Sequence, residues 1–161
     1  NLIASQLNHE RVGLAAVSVL SFRLIDDVID WAATTPTPDG GAVIDIPWVQ
    51  LDLARCRAKL EALNLMNWRM TTAVEAGELQ PYQASTAKVY GTEAVADAYH
   101  LLLGVMGAAG HLRAGSAGAV LRGELEGAGR SAQINTFGGG VNEIQREIIA
   151  WMGLGMSRGK R

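Results

Sequence analysis

Glu10 is the residue whose type and position most directly suggest chemistry. It lies at the centre of an apolar stripe on a helix that turns by about 100° per residue. The stripe consists of Ile3, Leu7, Leu14, Val17 and Val28. Burial on such a face would raise the pKa of a carboxyl group toward the range of a general base. The alternative is a partly exposed carboxylate that interacts with the dipole at the helix start, and the spacing leaves both readings open.

The triple glycine Gly138, Gly139 and Gly140 is the second candidate, because it directly precedes a predicted helix. A glycine turn lets the backbone approach a ligand closely, and a helix start presents free N–H groups. The alternative is a flexible turn. The pattern is neither a P-loop nor a dinucleotide fingerprint, since no Lys-Ser/Thr pair follows it and no strand precedes it.

The remaining residue types that often carry chemistry predict no site. The histidines, His9, His100 and His111, are scattered, without a Glu-x-x-His pair or zinc-ligand spacing. We therefore expect no metal. The tryptophans are expected to be core and interface anchors rather than a base-stacking platform. They are Trp31, Trp48, Trp68 and Trp151.

Composition predicts a packed helical domain without a nucleic-acid or membrane function. The 161 residues are 48% hydrophobic and 19% charged, with a net charge of −2, which argues against a general polyanion-binding surface. The longest uncharged apolar stretch, residues 12–22, is shorter than the roughly 20 residues of a membrane span. Cys56 is the only cysteine and lies on an apolar helical stripe. We expect it to be buried and the setting to be reducing and cytoplasmic.

Four helical regions must position these residues, and they predict an all-α, antiparallel four-helix bundle that forms a single domain over residues 1–161. Helices are expected at 3–31, 47–77, 81–106 and 141–152, with a short one at 119–126 and irregular chain at 107–118 and 127–140. The first should be deeply buried around 12–22, where it is apolar almost all round. The second carries a stripe of apolar residues at helical spacing. The stripe is Val49, Leu53, Cys56, Leu60, Leu63, Met70 and Val74.

Two segments resemble acyl-CoA dehydrogenases. They are residues 7–16, LNHERVGLAA, and residues 134–150, INTFGGGVNEIQREIIA. The order and lengths of the intervening helices and loops also match, so the resemblance covers essentially the whole chain. It implies the C-terminal helical domain of a family whose members also have an N-terminal helical domain and a middle β-domain. It further implies FAD, an acyl-CoA substrate that is oxidised to the enoyl thioester, and an electron-transfer flavoprotein as electron acceptor.

The resemblance also assigns roles to particular residues. Many family members carry the catalytic base in the loop before the last helix, where this chain has Gly139, whereas a subset carries it on the first helix at the position of Glu10. The resemblance therefore favours Glu10 as the base and the Gly139 N–H as a donor to the thioester oxygen. Asn8 and Arg11 match positions that line the substrate channel. The cofactor contacts are expected at Gly138, Gly140, Val141 and Glu143.

Two family motifs that contact FAD across the subunit interface are lacking. Residues 32–36 read AATTP where an Arg-x-x-Phe-Gly stretch is usual, and residues 101–105 read LLLGV where Gln-x-x-Gly-Gly is usual. We therefore expect a hetero-oligomer in which a second acyl-CoA dehydrogenase-like subunit supplies those contacts, resembling actinobacterial heterotetramers that act on steroid side-chain thioesters. The alternatives are a non-catalytic partner subunit and a flavin-less helical scaffold.

Overall fold

The computed structural model describes residues 17–157, and these residues form an all-α fold, as predicted. The helices are α1 (Val17–Thr34), α2 (Pro47–Glu75), α3 (Pro81–Met106), α4 (Glu124–Ala132) and α5 (Asn142–Ile148). Short 3₁₀ turns lie at Val43–Asp45, Gly107–His111, Val120–Gly123 and Gln133–Thr136, and one π-helical turn, Ile149–Gly153, continues α5. The described range contains no strand, only an isolated bridge between Pro36 and Ala42.

The long helices α2 and α3 form an antiparallel pair. Cys56 Sγ lies 3.5 Å from the carbonyl oxygen of Ala98, whereas Lys59, further along α2, pairs with Asp97, earlier on α3. Further along still, Leu63 packs beside Gly91, where a Cβ would lie only 2.8 Å from the leucine side chain. The small residues that the sequence places on α3 thus allow a close helix–helix approach.

The predicted apolar stripe of α2 forms the centre of the core. Its first six members are buried, and only Val74 departs from the prediction, with 38% of its surface exposed. The first five pack against Leu24, Ile25 and Val28 of α1 and against the apolar face of α3, whereas Met70 packs in a separate small cluster with Ala84 and Ala87. The α2 helix begins at Pro47 and ends before Gly77, whose φ of +69° suits a residue without a side chain.

The short helix after α3 lies later in the sequence than predicted. Leu121 and Arg122 have positive φ angles of 47° and 55°, so the chain cannot continue as one helix from residue 119. The α4 helix begins at Glu124 and covers part of the segment that was expected to be irregular. Glycine suits position 129 of this helix, because a Cβ there would lie only 3.1 Å from the Leu103 side chain of α3.

One prediction of burial is wrong for the described residues. Val19 and Leu20, in the stretch expected to be deeply buried, are 72% and 42% exposed. The neighbouring polar Ser21 is buried instead, because its hydroxyl lies 2.9 Å from the Tyr99 hydroxyl of α3. Trp48, Trp68 and Trp151 are about half exposed or more, so they do not anchor the core of this domain, and their expected role as interface anchors stays a prediction.

Candidate functional site

The triple glycine forms a turn that only glycine adopts readily. Gly139 has a φ of +65° and Gly140 a φ of +98°. The N–H of Phe137 donates to the carbonyl of Ile134 at 3.0 Å and closes the 3₁₀ turn, and the N–H of Gly138 donates to the same carbonyl at 3.1 Å. Val141 then returns to negative φ, and α5 begins at Asn142. We call residues 137–141 the glycine turn.

A buried glutamine of α5 holds the glycine turn from its inner side. The Ser85 hydroxyl of α3 donates to Gln145 Oε1 at 2.8 Å, and Gln145 Nε2 lies 3.4 Å from the carbonyl oxygen of Gly139. Only 1% of Gln145 is exposed. A Cβ at Gly140 would lie 2.6 Å from Gln145 Nε2, so the glutamine occupies the space that a side chain there would need.

A buried lysine of α3 holds the approach to the glycine turn. Lys88 Nζ donates to the carbonyl oxygen of Thr136 at 2.9 Å and to Asn142 Oδ1 at 2.5 Å. Only 2% of Lys88 is exposed. Burial of an ammonium group is costly unless it is hydrogen-bonded, so these acceptors define where the lysine can lie.

Asn142 connects this lysine to an ion pair at the surface. Its Nδ2 donates to Glu93 Oε1 at 2.9 Å and to Thr92 Oγ1 at 3.1 Å. Glu93 also accepts two hydrogen bonds from Arg146, one at each carboxylate oxygen and each at 2.7 Å. A lysine only donates and a carboxylate only accepts, so the amide of Asn142 has one satisfactory orientation.

Of the predicted site residues, those at 138–143 lie within the described range and those at 8–11 lie outside it. Gly138 and Gly140 are exposed, while Gly139 and Val141 are partly buried. Glu143 is an exposed carboxylate on the first turn of α5. The positions of Asn8, Glu10 and Arg11 lie before the described range, so their predicted roles remain predictions.

The surroundings of the glycine turn fit an uncharged part of a cofactor such as a flavin ring. Ile134, Phe137 and Ile144 are 70%, 69% and 43% exposed and give this end of the domain an apolar surface. Glu143 does not suit the diphosphate of FAD, because two negative charges would repel each other. Among the described residues, no group of His, Cys, Asp and Glu could hold a metal ion.

The residues that hold the glycine turn were not singled out from the sequence. Ser85, Lys88 and Thr92 recur at spacings of three and four on α3, and Asn142 and Gln145 are three apart on α5. The available signal was a lysine among small residues, since charged residues are almost never buried without partners. The spacing could not show which distant element supplied those partners.

Comparison with known proteins identifies the family. Residues 1–153 match the family described as acyl-CoA dehydrogenase, C-terminal domain. The chain belongs to the acyl-CoA dehydrogenase family. The match covers nearly the whole chain, including the glycine turn and the segments before the described range, and it confirms the resemblance on which the site residues were assigned.

Two curated relatives from Mycobacterium tuberculosis (strain ATCC 25618 / H37Rv) cover almost all of the chain. Acyl-CoA dehydrogenase FadE26 is 46% identical over an alignment of 164 positions that covers 99% of this chain and 40% of the relative. Acyl-CoA dehydrogenase FadE29 is 35% identical over 157 residues, which are 98% of this chain and 39% of the relative. The chain thus spans about two fifths of the length of these relatives.

Solved structures show the same fold. A structure described as the Tcur3481-Tcur3483 steroid ACAD has a TM-score of 0.89 at 51% identity, covering 98% of this chain and 40% of that one. The ChsE4-ChsE5 complex from Mycobacterium tuberculosis has a TM-score of 0.89 at 46% identity, covering 98% and 41%. Both names denote complexes of two different components. No helix within residues 17–157 is long and apolar enough to cross a bilayer.

Proposed function

We propose that this domain belongs to an FAD-dependent acyl-CoA dehydrogenase that introduces an α,β double bond into an acyl-CoA thioester. The observation that carries the proposal is the combination of the family match with glycine at the loop position where many members have their base. A carboxylate must therefore come from elsewhere, and Glu10 occupies the alternative position on the first helix.

The described carboxylates near the glycine turn support this assignment. Glu93 accepts hydrogen bonds from Arg146 and Asn142, which occupy its oxygens, so it is not available to a substrate. Glu143 is exposed to solvent and does not lie in an apolar environment. A general base works best with a pKa near the operating pH, which a carboxyl group reaches in an apolar environment. We propose that the apolar stripe predicted from the sequence around Glu10 supplies that environment.

The proposed roles follow from the reaction. Glu10 removes the proton from the carbon α to the thioester, and the negative charge that develops passes to the thioester oxygen. The Gly139 N–H donates to that oxygen and stabilises the charge. FAD, if bound beside the glycine turn, would supply the acceptor for the hydride that leaves the β-carbon. Asn8 and Arg11 line the substrate channel.

Cofactor contacts are proposed around the glycine turn. Gly138, Gly140 and Val141 have no polar side chain, so they would contact the flavin through the backbone and through apolar surface. The Glu143 carboxylate would be repelled by the diphosphate of FAD. Its proposed partner is therefore a hydroxyl group of the cofactor, from which it can accept a hydrogen bond.

The proposed substrate class is a steroid side-chain CoA thioester, supported by the likeness to proteins whose names include steroid ACAD. The proposed assembly is a hetero-oligomer with a second acyl-CoA dehydrogenase-like subunit, supported by the two-component names of the similar structures. The loss of two FAD-contacting motifs from residues 32–36 and 101–105 is consistent with this assembly. An electron-transfer flavoprotein would reoxidise the reduced flavin.

The decisive experiment replaces Glu10 by Gln in the whole protein with its partner subunit. Under anaerobic conditions, a steroid CoA thioester such as cholanoyl-CoA should reduce the flavin of the unmodified complex. The Glu10→Gln variant should bind the thioester but reduce the flavin at least about a thousandfold more slowly, because the amide cannot take the proton. The control is Glu61→Gln, an exposed carboxylate of α2, which should reduce at the unmodified rate.

One further candidate function has an observation in its favour. The glycine in place of a loop base would also suit a non-catalytic partner subunit, with the base supplied by the other chain. In that case Glu10→Gln would leave flavin reduction unchanged. A complex that lacks flavin absorbance would instead indicate a helical scaffold that has lost FAD.

A further inference from the structure

We propose that Lys88 and Gln145 are positioning residues that set the conformation of the glycine turn from behind, through two separate hydrogen-bonded arms. The first arm runs from Lys88 to Thr136 and Asn142, and the second runs from Ser85 through Gln145 to Gly139. The catalytic consequence of this proposal rests on the proposed function, whereas the anchoring itself rests on the geometry alone.

The lysine arm fixes both ends of the glycine turn at once. Thr136 precedes the turn and Asn142 follows it, and the same Lys88 Nζ donates to an oxygen of each. The distance between the two ends is therefore set by one ammonium group rather than by the backbone of three glycines. Glycine has more backbone freedom to lose than any other residue, so such a turn needs external contacts to hold one conformation.

The glutamine arm sets the orientation of the peptide between Gly139 and Gly140. Because that peptide is planar and trans, its carbonyl and its N–H point in opposite directions. Gln145 is buried beneath the turn and engages the carbonyl of Gly139. The N–H of Gly140 therefore points away from the Gly139 carbonyl and from Gln145. The Gly139 N–H, the proposed donor to the thioester oxygen, belongs to the preceding peptide, and this contact holds it through the backbone of Gly139.

The two arms are joined to α3 and not to the rest of the loop. Ser85 and Lys88 are both buried on α3, one turn apart, and α3 is the helix that also contributes to the apolar core. The glycine turn is therefore held in a fixed position relative to α3, the most buried helix among the described residues. A donor that must meet a thioester oxygen within a few tenths of an ångström needs a rigid support of this kind.

The first test uses Lys88→Met in the whole complex, followed by hydrogen–deuterium exchange. Methionine keeps the unbranched length and apolar stem but has no donor, so the oxygens of Thr136 and Asn142 lose this partner. Exchange in the segment 133–141 should rise about tenfold or more, while exchange in α2 and the C-terminal half of α3 should not change. The control is Lys59→Met, which removes a surface pair with Asp97 and should leave the segment unchanged.

Two exchange results would overturn the proposal. One is unchanged exchange in the segment 133–141 of Lys88→Met. The other is a uniform rise throughout the domain together with a lower melting temperature, because that pattern means that Lys88 supports the fold in general and not the turn.

The second variant, Ser85→Ala, is milder and tests the glutamine arm if Lys88→Met does not fold. It removes the hydroxyl that donates to Gln145 Oε1, so the glutamine can rotate away from Gly139. Exchange at the glycine turn should rise about threefold, on the scale of a single lost hydrogen bond. An unchanged exchange rate at the turn in this folded variant would contradict the glutamine arm.

The catalytic consequence is tested by rapid mixing with cholanoyl-CoA. Lys88→Met should retain its flavin and its thioester affinity but reduce the flavin about tenfold to a hundredfold more slowly, as expected when a supporting contact one step from the chemistry is lost. A rate equal to that of Lys59→Met would contradict this role. If the unmodified complex shows no reduction with any acyl-CoA, the proposed function fails, while the exchange experiment still decides whether the two arms hold the turn.

Discussion

The apolar core and the attachment of the glycine turn are two buried regions on the same helix, α3, and they are held by different forces. In the core, Leu60 and Leu102 are fully buried among other apolar side chains. At the attachment, Lys88 and Gln145 are almost as deeply buried, but each is fixed by hydrogen bonds. Apolar contacts are non-directional, whereas hydrogen bonds require a particular distance and angle.

The difference indicates a division of tasks within one domain. The apolar region contributes most of the free energy of folding, and it tolerates changes that keep volume and hydrophobicity. The polar region contributes little net free energy, because its groups were also hydrogen-bonded in water. Its benefit is a single conformation for the glycine turn. Substitutions in the two regions should therefore separate stability from turn geometry.

The largest effect on stability is expected from Leu60→Ala in the core. Leu60 is fully buried, so the substitution should lower the free energy of unfolding by about 2–5 kcal/mol through lost burial and a residual cavity. Thermal unfolding of the whole complex measures this. The control Glu61→Ala, one residue away and exposed, should change it by less than about 0.5 kcal/mol. Equal effects of the two variants would show that α2 is not the centre of the core.

A smaller effect that depends on position is expected from Gly140→Ala. The φ of +98° disfavours any side chain, and the new Cβ would also meet Gln145 Nε2 at 2.6 Å. We expect a loss of about 1–3 kcal/mol, together with increased amide exchange at the glycine turn. Gly77→Ala is the matched control, because Gly77 has a φ of +69° but nothing within 4 Å of its Cβ position. It should cost about 1 kcal/mol, so the difference isolates the contact with Gln145.

A still smaller effect, confined to acid pH, is expected from Glu124→Gln. The hydrogen bond from Arg23, followed by that from Arg122, lowers the pKa of the Glu124 carboxyl below its ordinary value of 4.5. A lowered pKa in the folded state stabilises the protein above the ordinary value, and this stabilisation is lost as the pH falls through the lowered value. Melting temperatures between pH 6 and pH 3 should therefore fall less steeply for Glu124→Gln, by under about 3 °C.

The matched control for this pH effect is Glu126→Gln. The pKa of Glu126 is also lowered, first by the hydrogen bond from Arg130, four residues later on the same helix. Arg23 lies on α1, so its pair with Glu124 joins two helices, whereas the pair of Glu126 with Arg130 stays within α4. A larger acid effect for Glu126→Gln would contradict the importance that we assign to the contact between helices.

No detectable reaction is expected at Cys56 in the native protein. The thiol is fully buried, and burial raises its pKa to about 12. Roughly one thiol in ten thousand would be ionised at pH 8, and only the thiolate reacts rapidly with iodoacetamide. Peptide mass spectrometry should find Cys56 unmodified in the folded complex and alkylated in guanidinium chloride. Rapid alkylation of the native protein would show that the apolar region opens readily.

Much of the fold could be predicted because its signals are local. Proline at position 47 and glycine at position 77 delimit α2, and the apolar stripe between them has the helical period. The start of α4 could not be predicted, because the left-handed conformations of Leu121 and Arg122 have no sequence signal of their own. The exposure of Val19 was also missed, since an apolar side chain predicts burial without indicating which element covers it.

The candidate site divides in a similar way. Roles for Gly139 and Glu10 could be proposed from the sequence, because the short segments that contain them resemble family segments whose residues have known roles. The contacts of Lys88 could not, because its partners Thr136 and Asn142 lie about fifty residues away and on other elements. The spacing of polar residues along a helix shows that they share one face. It does not show which other element covers that face.

The sequence by itself therefore determined the long helices α2 and α3, the apolar face of α2, the glycines of the turn and the family. The tertiary structure alone decided which polar groups are buried and how the turn is held, as for Lys88, Gln145 and Asn142. The physical reason is that periodicity and turn chemistry act between neighbours in the chain. A buried hydrogen bond, in contrast, exists only when two distant elements place a donor and an acceptor within about 3 Å of each other.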